Sequence, residues 1–410
     1  MTGEKMTGLL SGVRVADFSW VQAGPFVSEC LAQMGAEVIK IESRKQVDLL
    51  RQAAVAMGIA DKEEKDLDKS VEFNAANLNK LSICLDLKNP KGLEIAKKII
   101  SISDVVLESF SPGVIGRVGL SYEEVKTIRP DIIMLSLSYS GQIGPESEYS
   151  GYAALFYVAS GLSYLTGYPD GPPGYVRLTS DNNAGAAGAV ALLAALCHRE
   201  RTGEGQYIDL SARESLSCLM GHYFIEVSLG RSPTRTGNLD ENMVPHNCYP
   251  CSGEENWISI AIEQEEEWHK LCEVLGDPSL AEDPRFHTPD ERLKNRIELD
   301  NAISRLTQHC DKMELMNTLQ EAGIAAFPVL RASDIFSDPH LRYRGFITDV
   351  KHAKLGKQIV FGPPWKFSLA SPKITSPAPL LGEHNTYVLK ELLKMTHDQI
   401  EELERDGIIC

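Results

Sequence analysis

Asp181 stands just ahead of a run of small apolar residues, Ala184 to Leu196. A carboxylate in that place can cap the helix that follows, since Asp is among the preferred capping residues. If buried, it can also attack an acyl carbon as a nucleophile. Gln22, in Gln-Ala-Gly-Pro, sits where a loop enters a helix, and the free N–H groups of a helix start suit a polar ligand. Arg117 is a cation that can meet a phosphate or remain a surface charge. His246, Cys248 and Cys251 carry ligating atoms, but one Cys-x-x-Cys with no second pair at finger spacing does not make a zinc site. No metal is expected. Glu265 to Glu267 read as a solvated first helical turn, and His384, in Gly-Glu-His-Asn, as a structural loop histidine.

The elements around these residues follow from their patterning. Val13 to Asp17, Glu37 to Ile41, Leu81 to Leu87, Val105 to Leu107 and Ile132 to Leu137 are short apolar runs, and helix-like segments separate them. Asn89 with Pro90, and Ser121 with Glu124, mark helix starts. Leu93, Ala96, Ile99 and Ile100 form a buried helical stripe. Apolar strands alternating with helices predict an α/β fold with a parallel sheet covered on both faces. Ligands bind such sheets beyond the carboxyl ends of the strands. After Asp181 a small-residue helix runs to about His198, then a strand, Tyr207 to Leu210, and a helix to about Leu229. Gly230 to Asn242 is polar, holds Pro and Gly, and reads as a linker. Beyond it a smaller unit has strands at Trp257 to Ile262 and Phe327 to Leu330. Thr396 and Gln399 open a last helix that stops at Gly407.

A chain of 410 residues is long enough for two or three domains, and 43% hydrophobic with 24% charged residues is ordinary globular composition. The net charge of -16 repels nucleic acid and anionic membranes. Any phosphate site is therefore built locally, from a few cations and N–H groups. Nine scattered cysteines read as reduced, buried thiols of a cytoplasmic protein. Met1 to Gly12 lacks the apolar core of a signal peptide, and Ala184 to Leu196 is too short to span a bilayer.

Several segments, in order, carry a resemblance. They are Val15-Ala-Asp-Phe-Ser-Trp-Val-Gln-Ala-Gly-Pro25, Gly35-Ala-Glu-Val-Ile-Lys-Ile-Glu42, Asn79-Lys-Leu-Ser-Ile-Cys-Leu-Asp-Leu-Lys88 and Asp104-Val-Val-Leu-Glu-Ser-Phe-Ser-Pro-Gly113. Thr166-Gly-Tyr-Pro-Asp-Gly-Pro-Pro173 precedes Asp181, and Thr202-Gly-Glu-Gly-Gln206, Ala322-Gly-Ile-Ala-Ala326, Asp338-Pro-His-Leu341 and Gly382-Glu-His-Asn385 complete the set. Nearly the whole chain resembles the family III CoA-transferases of the formyl-CoA, carnitine-CoA and benzylsuccinate-CoA type. The resemblance implies a Rossmann-like large domain that binds coenzyme A, supplied as an acyl-CoA substrate. A smaller inserted α/β domain and an interlocked dimer, with an identical or a related subunit, are implied too. On this chain the layout becomes residues 1–229 for the large domain, 230–242 for the linker, 243–335 for the small domain and 336–410 for the return. Residue by residue, the resemblance puts Gln22 and Ala23 on CoA, with Ser43 and Arg44 nearby. Leu85, Asp86, Leu87, Lys88, Ser109, Phe110 and Ser111 fall around its nucleotide, Arg117 at its phosphates, and Asp181 as nucleophile. Ser43 stands where the formyl-CoA enzymes have an arginine, Ser109 where they have an asparagine and Ser138 where they have a lysine. Their glycine-rich lid has no counterpart between Gly237 and His246. These departures point away from formyl-CoA and oxalate.

The implied chemistry moves CoA from an acyl-CoA to a free carboxylic acid through an aspartyl anhydride and an aspartyl thioester. Phe156, Tyr157, Tyr164 and Tyr168 hint at a bulky or aromatic acceptor; succinate derivatives, which are dicarboxylic, are among the acids such relatives handle. The alternative is an acyl-CoA racemase of the same fold, which needs an acid/base pair on the α-carbon. The stretch matching the histidine segment of those relatives is Gly151-Tyr152-Ala153, with no histidine. A catalytically dead partner subunit would be expected to lack the aspartate. A nicotinamide dehydrogenase would need a Gly-x-Gly-x-x-Gly fingerprint, which is missing, as are a Gly-Lys-Ser/Thr phosphate loop and a Gly-x-Ser-x-Gly elbow.

Overall fold

The structure, a computed structural model, describes residues 8–56, 66–176 and 179–409. Residues 1–7, read above for a targeting segment, lie outside that range. The chain divides into two compact units, one of Met1–Ser163, Tyr175–Arg231 and Pro339–Cys410, the other of Tyr164–Gly174 and Ser232–Asp338.

The first unit is built on β1 (Arg14–Asp17), β2 (Glu37–Glu42), β3 (Leu81–Cys84), β4 (Val105–Glu108), β5 (Ile133–Ser138) and β6 (Tyr207–Ser211). All pairings are parallel, in the order β3-β2-β1-β4-β5-β6. The strand order reverses between β1 and β4, and the crevice there is where sheets of this kind hold ligands. Strand residues alternate between two cores. Val15, Leu107 and Leu135 pack with the helices Ala23–Gln33 and Ser180–Thr202. Ala16, Val106 and Met134 pack with Pro90–Ser101, Tyr122–Ile128 and His397–Arg405. Burial on both faces accounts for the near-continuous apolar runs.

Local signals behave as their chemistry demands. Asn89 accepts from the Lys91 N–H at 3.0 Å with Pro90 at the first helical position. Ser121 with Glu124, and Thr396 with Gln399, form capping boxes. Ile95 takes the fully buried place in the stripe, where Leu93 is partly buried. Three expectations are corrected. The helix after β6 is broken into Ala212–Ser217, a tight turn at Cys218–Met220 and Gly221–Ser228. The small-residue helix runs on to Thr202, where Gly203 ends it in the left-handed region. The cysteines are not uniformly reduced and buried: Cys84 is disulfide-bonded, and Cys197 and Cys218 are exposed. The tail adds an antiparallel hairpin, β7 (Ile347–His352) with β8 (Gly356–Phe361).

The second unit holds an antiparallel three-stranded sheet of His246–Pro250, Trp257–Ala261 and Ala325–Pro328 around buried Tyr249, Ile258 and Trp268. Glu265 is not merely solvated there. Its carboxylate receives the buried Arg292 guanidinium at 3.0 and 2.7 Å. His246 Nδ1 lies 2.7 Å from the Asn238 carbonyl. Among the described residues no three His, Cys, Asp or Glu side chains gather as a metal would need, and no helix is long and apolar enough to cross a membrane.

Candidate active site

Two helices of the first unit converge. Ala23–Gln33 and Ser180–Thr202 pack backbone to backbone because Gly185 lies against Phe26 and the Ala23 carbonyl. A Cβ at Gly185 would come within 2.8 Å of the Phe26 ring and 2.9 Å of the Ala23 oxygen. The same contact sets the two helix starts side by side. Gln22 precedes the first helix, and its Nε2 donates to Asn182 Oδ1 at 3.2 Å. Ser180 is buried and donates to the Ala153 carbonyl at 2.6 Å, which fixes the first turn of the second helix.

Asp181 is the second residue of that helix. Thr179 occupies the cap position, so the capping reading of Asp181 does not hold. Its carboxyl is partly buried, and among the described residues no hydrogen bond reaches it. Burial alone pushes its pKa up to about 6. Asp181 lies in the first turn of the helix, where negative charge is favourable.

The loop after β1 reaches the crevice at the strand-order reversal. Trp20 donates its N–H to Ser109 Oγ at 2.9 Å, and the same hydroxyl donates to the Trp20 carbonyl at 3.2 Å. Phe110 meets the Trp20 ring edge-on, with centroids 5.7 Å apart. Gly24 is needed here, because a Cβ would run into Ser19 and come within 2.9 Å of the Ser109 Cβ. Ala23 is buried behind them. The structure thus joins Gln22, Ala23, Ser109 and Phe110 in one place.

The remaining candidates stand at neighbouring strand ends. The Ser43 hydroxyl caps a turn by accepting from Lys45 N–H at 3.2 Å. Arg44 is exposed and lines a cavity of about 580 Å³ with Asp66, Lys69 and Lys354. Lys45 reaches Asp86 at 2.6 Å and holds that carboxyl below its ordinary range. Leu85 is buried, Leu87 partly so, and Lys88 is exposed. Ser111 accepts from Val114 N–H at 3.1 Å through its carbonyl. Arg117 faces outward from the helix Val114–Val118, beside Gly113. Phe156 and Tyr157 are buried, Phe156 in the core against Tyr139, so they are not free to line an acceptor pocket.

The sequence reading passed over two groups. Asn182, the partner of Gln22, is one. The other is buried charge beneath the crevice. Glu108 is buried, accepts from Phe110 N–H at 2.7 Å, and is pushed by burial to a pKa of about 7. Lys40 and Lys80 are buried as well. A lysine between Ile39 and Ile41 in an apolar strand was the available signal, since such a cation has to be paired.

The description "CoA-transferase family III" fits residues 10–385. The chain is 31% identical to the succinyl-CoA–D-citramalate CoA-transferase of Chloroflexus aurantiacus across 100% of both chains. It is 32% identical to the formyl-CoA:oxalate CoA-transferase of Afipia carboxidovorans over 98% of each. A CaiB/BaiF family protein from Brucella suis has a solved structure that superposes with a TM-score of 0.86 at 30% identity, covering 94% of this chain and 99% of that one. With a matching family description over most of its length and full-length relatives that are CoA-transferases, the chain belongs to CoA-transferase family III.

Proposed function

We propose that Asp181 is the nucleophile of this CoA-transferase and passes CoA from an acyl-CoA to a free carboxylic acid by covalent steps. The observation that carries the reading is the Asp181 carboxyl itself, partly buried, free of described hydrogen-bond partners and set in a helix first turn beside Gln22. An Asp181 oxygen attacks the donor thioester carbonyl, the C–S bond breaks, and CoA leaves as thiolate. The thiolate attacks the aspartyl carbonyl of the mixed anhydride and expels the donor carboxylate, leaving an aspartyl-CoA thioester. The acceptor carboxylate displaces CoA to form a second anhydride. CoA thiolate then takes the acceptor acyl group and frees Asp181. Each tetrahedral oxyanion would be met by first-turn N–H groups and the Gln22 amide.

In this reading CoA lies along the strand ends, with Ala23, Ser109, Phe110 and Ser111 at the crevice. Ser43, Leu85, Asp86 and Leu87 shape the nucleotide end, and Arg44, Lys88 and Arg117 supply positive charge. The acceptor is a dicarboxylic or bulky acid, in line with the citramalate relative. The working unit is a dimer in the cytoplasm. The helix Gly221–Ser228 buries none of its residues although Phe224, Ile225 and Val227 are apolar, and a second or related subunit would cover them.

The test is chemical trapping. Acyl-CoA donors without acceptor should make Asp181 reactive, so that hydroxylamine gives a hydroxamate and borohydride an alcohol on the peptide holding Ser180-Asp181-Asn182. Asp181→Ala should abolish exchange while the protein stays folded. Normal turnover with that peptide unmodified would reduce Asp181 to an orienting group.

A further inference from the structure

The loop from Phe18 to Gln22 and the first turn of the helix after it are held by buried charged groups. Lys40 donates to the Ser19 carbonyl at 2.7 Å, and Lys80 to the Pro25 carbonyl at 2.8 Å. Both Asp48 oxygens accept the Val21 N–H at 3.3 Å. Asp17 accepts the Ser19 N–H at 2.9 Å and the Ser28 hydroxyl at 2.6 Å. The four side chains pair as Lys40 with Asp48 at 3.7 Å and Lys80 with Asp17 at 3.4 Å, and none is more than 2% exposed. Buried ion pairs of this kind are no more stabilising than apolar packing of the same volume. They differ from it in direction, because each pair here has a hydrogen bond to the backbone of the β1 loop or of the first helical turn that follows it.

The residue at the centre of that loop is strained. Val21 has φ 63, in the left-handed region that a β-branched residue rarely adopts. Such a conformation persists where the surroundings over-determine it, and it is commonest at functional sites. The Asp48 carboxylate takes the N–H of this residue. The next residue is Gln22, which reaches Asn182 beside Asp181.

We propose that Lys40 and Asp48, with Lys80 and Asp17, are positioning residues of the transfer reaction, fixing the strained loop that delivers the Gln22 amide to the head of the Asp181 helix. The inference rests on the proposed roles of Gln22 and Asp181 in catalysis.

A double-mutant cycle tests it. Lys40→Met alone would strand Asp48, so the pair Lys40→Met/Asp48→Asn is changed together, which removes both charges and leaves an oxygen for the Leu50 N–H that Asp48 also binds. Activity is read as exchange of labelled succinate into succinyl-CoA, or of the matching acid into whichever acyl-CoA the wild type turns over fastest. Misplacing a reacting group by about an ångström costs roughly 100-fold in rate. The pair should therefore lose about that factor in kcat, while the affinity for CoA itself, by calorimetry, shifts less than about threefold. Amide exchange should rise in the peptide covering Phe18 to Pro25 and stay unchanged in β4 and β5. Added to Gln22→Ala, the pair should cost little more, since it acts through Gln22. A merely structural role predicts unchanged kcat per folded molecule, or costs that multiply with Gln22→Ala, and either result overturns the proposal. If the pair does not fold, Asp48→Asn alone carries the same measurements. Asp181→Ala run alongside separates the two ideas: full turnover there sinks the nucleophile, whereas the coupling between the pair and Gln22 stands or falls by itself.

Discussion

Gln22 and Asn182 are 160 residues apart in the chain, yet the amide of one donates to the amide oxygen of the other at 3.2 Å. One residue comes off the first strand of the sheet and the other lies in the first turn of a different helix. Their bond places the β1 loop next to Asp181.

The raised pKa of Asp181 makes the rate depend on pH in one direction. The protonated acid cannot attack a thioester, and burial shifts its loss of the proton to about pH 6. The rate constant for acylation by donor should rise about tenfold per pH unit below 6 and level off above it. A single-turnover series from pH 4.5 to 8 reads this directly. A profile flat down to pH 5 would show that the attacking group ionises well below 6.

Glu108 should tax stability at high pH. Its neutral form is favoured in the fold, with a pKa near 7 against an ordinary 4.5. Stability is therefore lost as pH rises from about 4.5 through 7. Glu108→Gln, which is always neutral and can still accept from the Phe110 N–H, should be near wild type at pH 4. It should be more stable by about 3 kcal/mol at pH 8, at 1.36 kcal/mol per pKa unit. Urea unfolding at the two pH values checks it. An equal effect at both would mean the shift is absent.

The uncovered helix Gly221–Ser228 predicts pairing. Light scattering should give two chains per particle, and Phe224→Glu with Ile225→Glu should lower that number or the yield of folded protein. A wild-type monomer at micromolar concentration would contradict the dimer.

The sheet was readable from the sequence because its strands are buried on both faces and spell out apolar runs, as in Glu37–Glu42. Asp181 was readable as a candidate, although its place in the helix was not. The cap falls on Thr179, a weaker signal than an aspartate. What stayed hidden was pairing at a distance. Nothing local ties Lys80 to Asp17, or Gln22 to Asn182, because the first contact exists only once β1, β2 and β3 lie side by side and the second only once the helices Ala23–Gln33 and Ser180–Thr202 pack together. The strand His246–Pro250 was missed because His-Asn-Cys-Tyr-Pro shows no alternation, and only its antiparallel partner Trp257–Ala261 defines it.

The contact at Gly185 bears on how this enzyme can be altered. A methyl group there meets the Ala23 carbonyl and the Phe26 ring, and one at Gly188 would come within 2.8 Å of Val27. These are the positions that keep Gln22 within reach of Asn182. Glu200 and Arg201, near the far end of the same helix, are exposed. A mutagenesis library aimed at new acceptor acids therefore has an uneven map. Diversity is cheap at the distal turns, whereas one methyl on the inner stripe would move the catalytic end as a unit and register as lost activity in a protein that still folds.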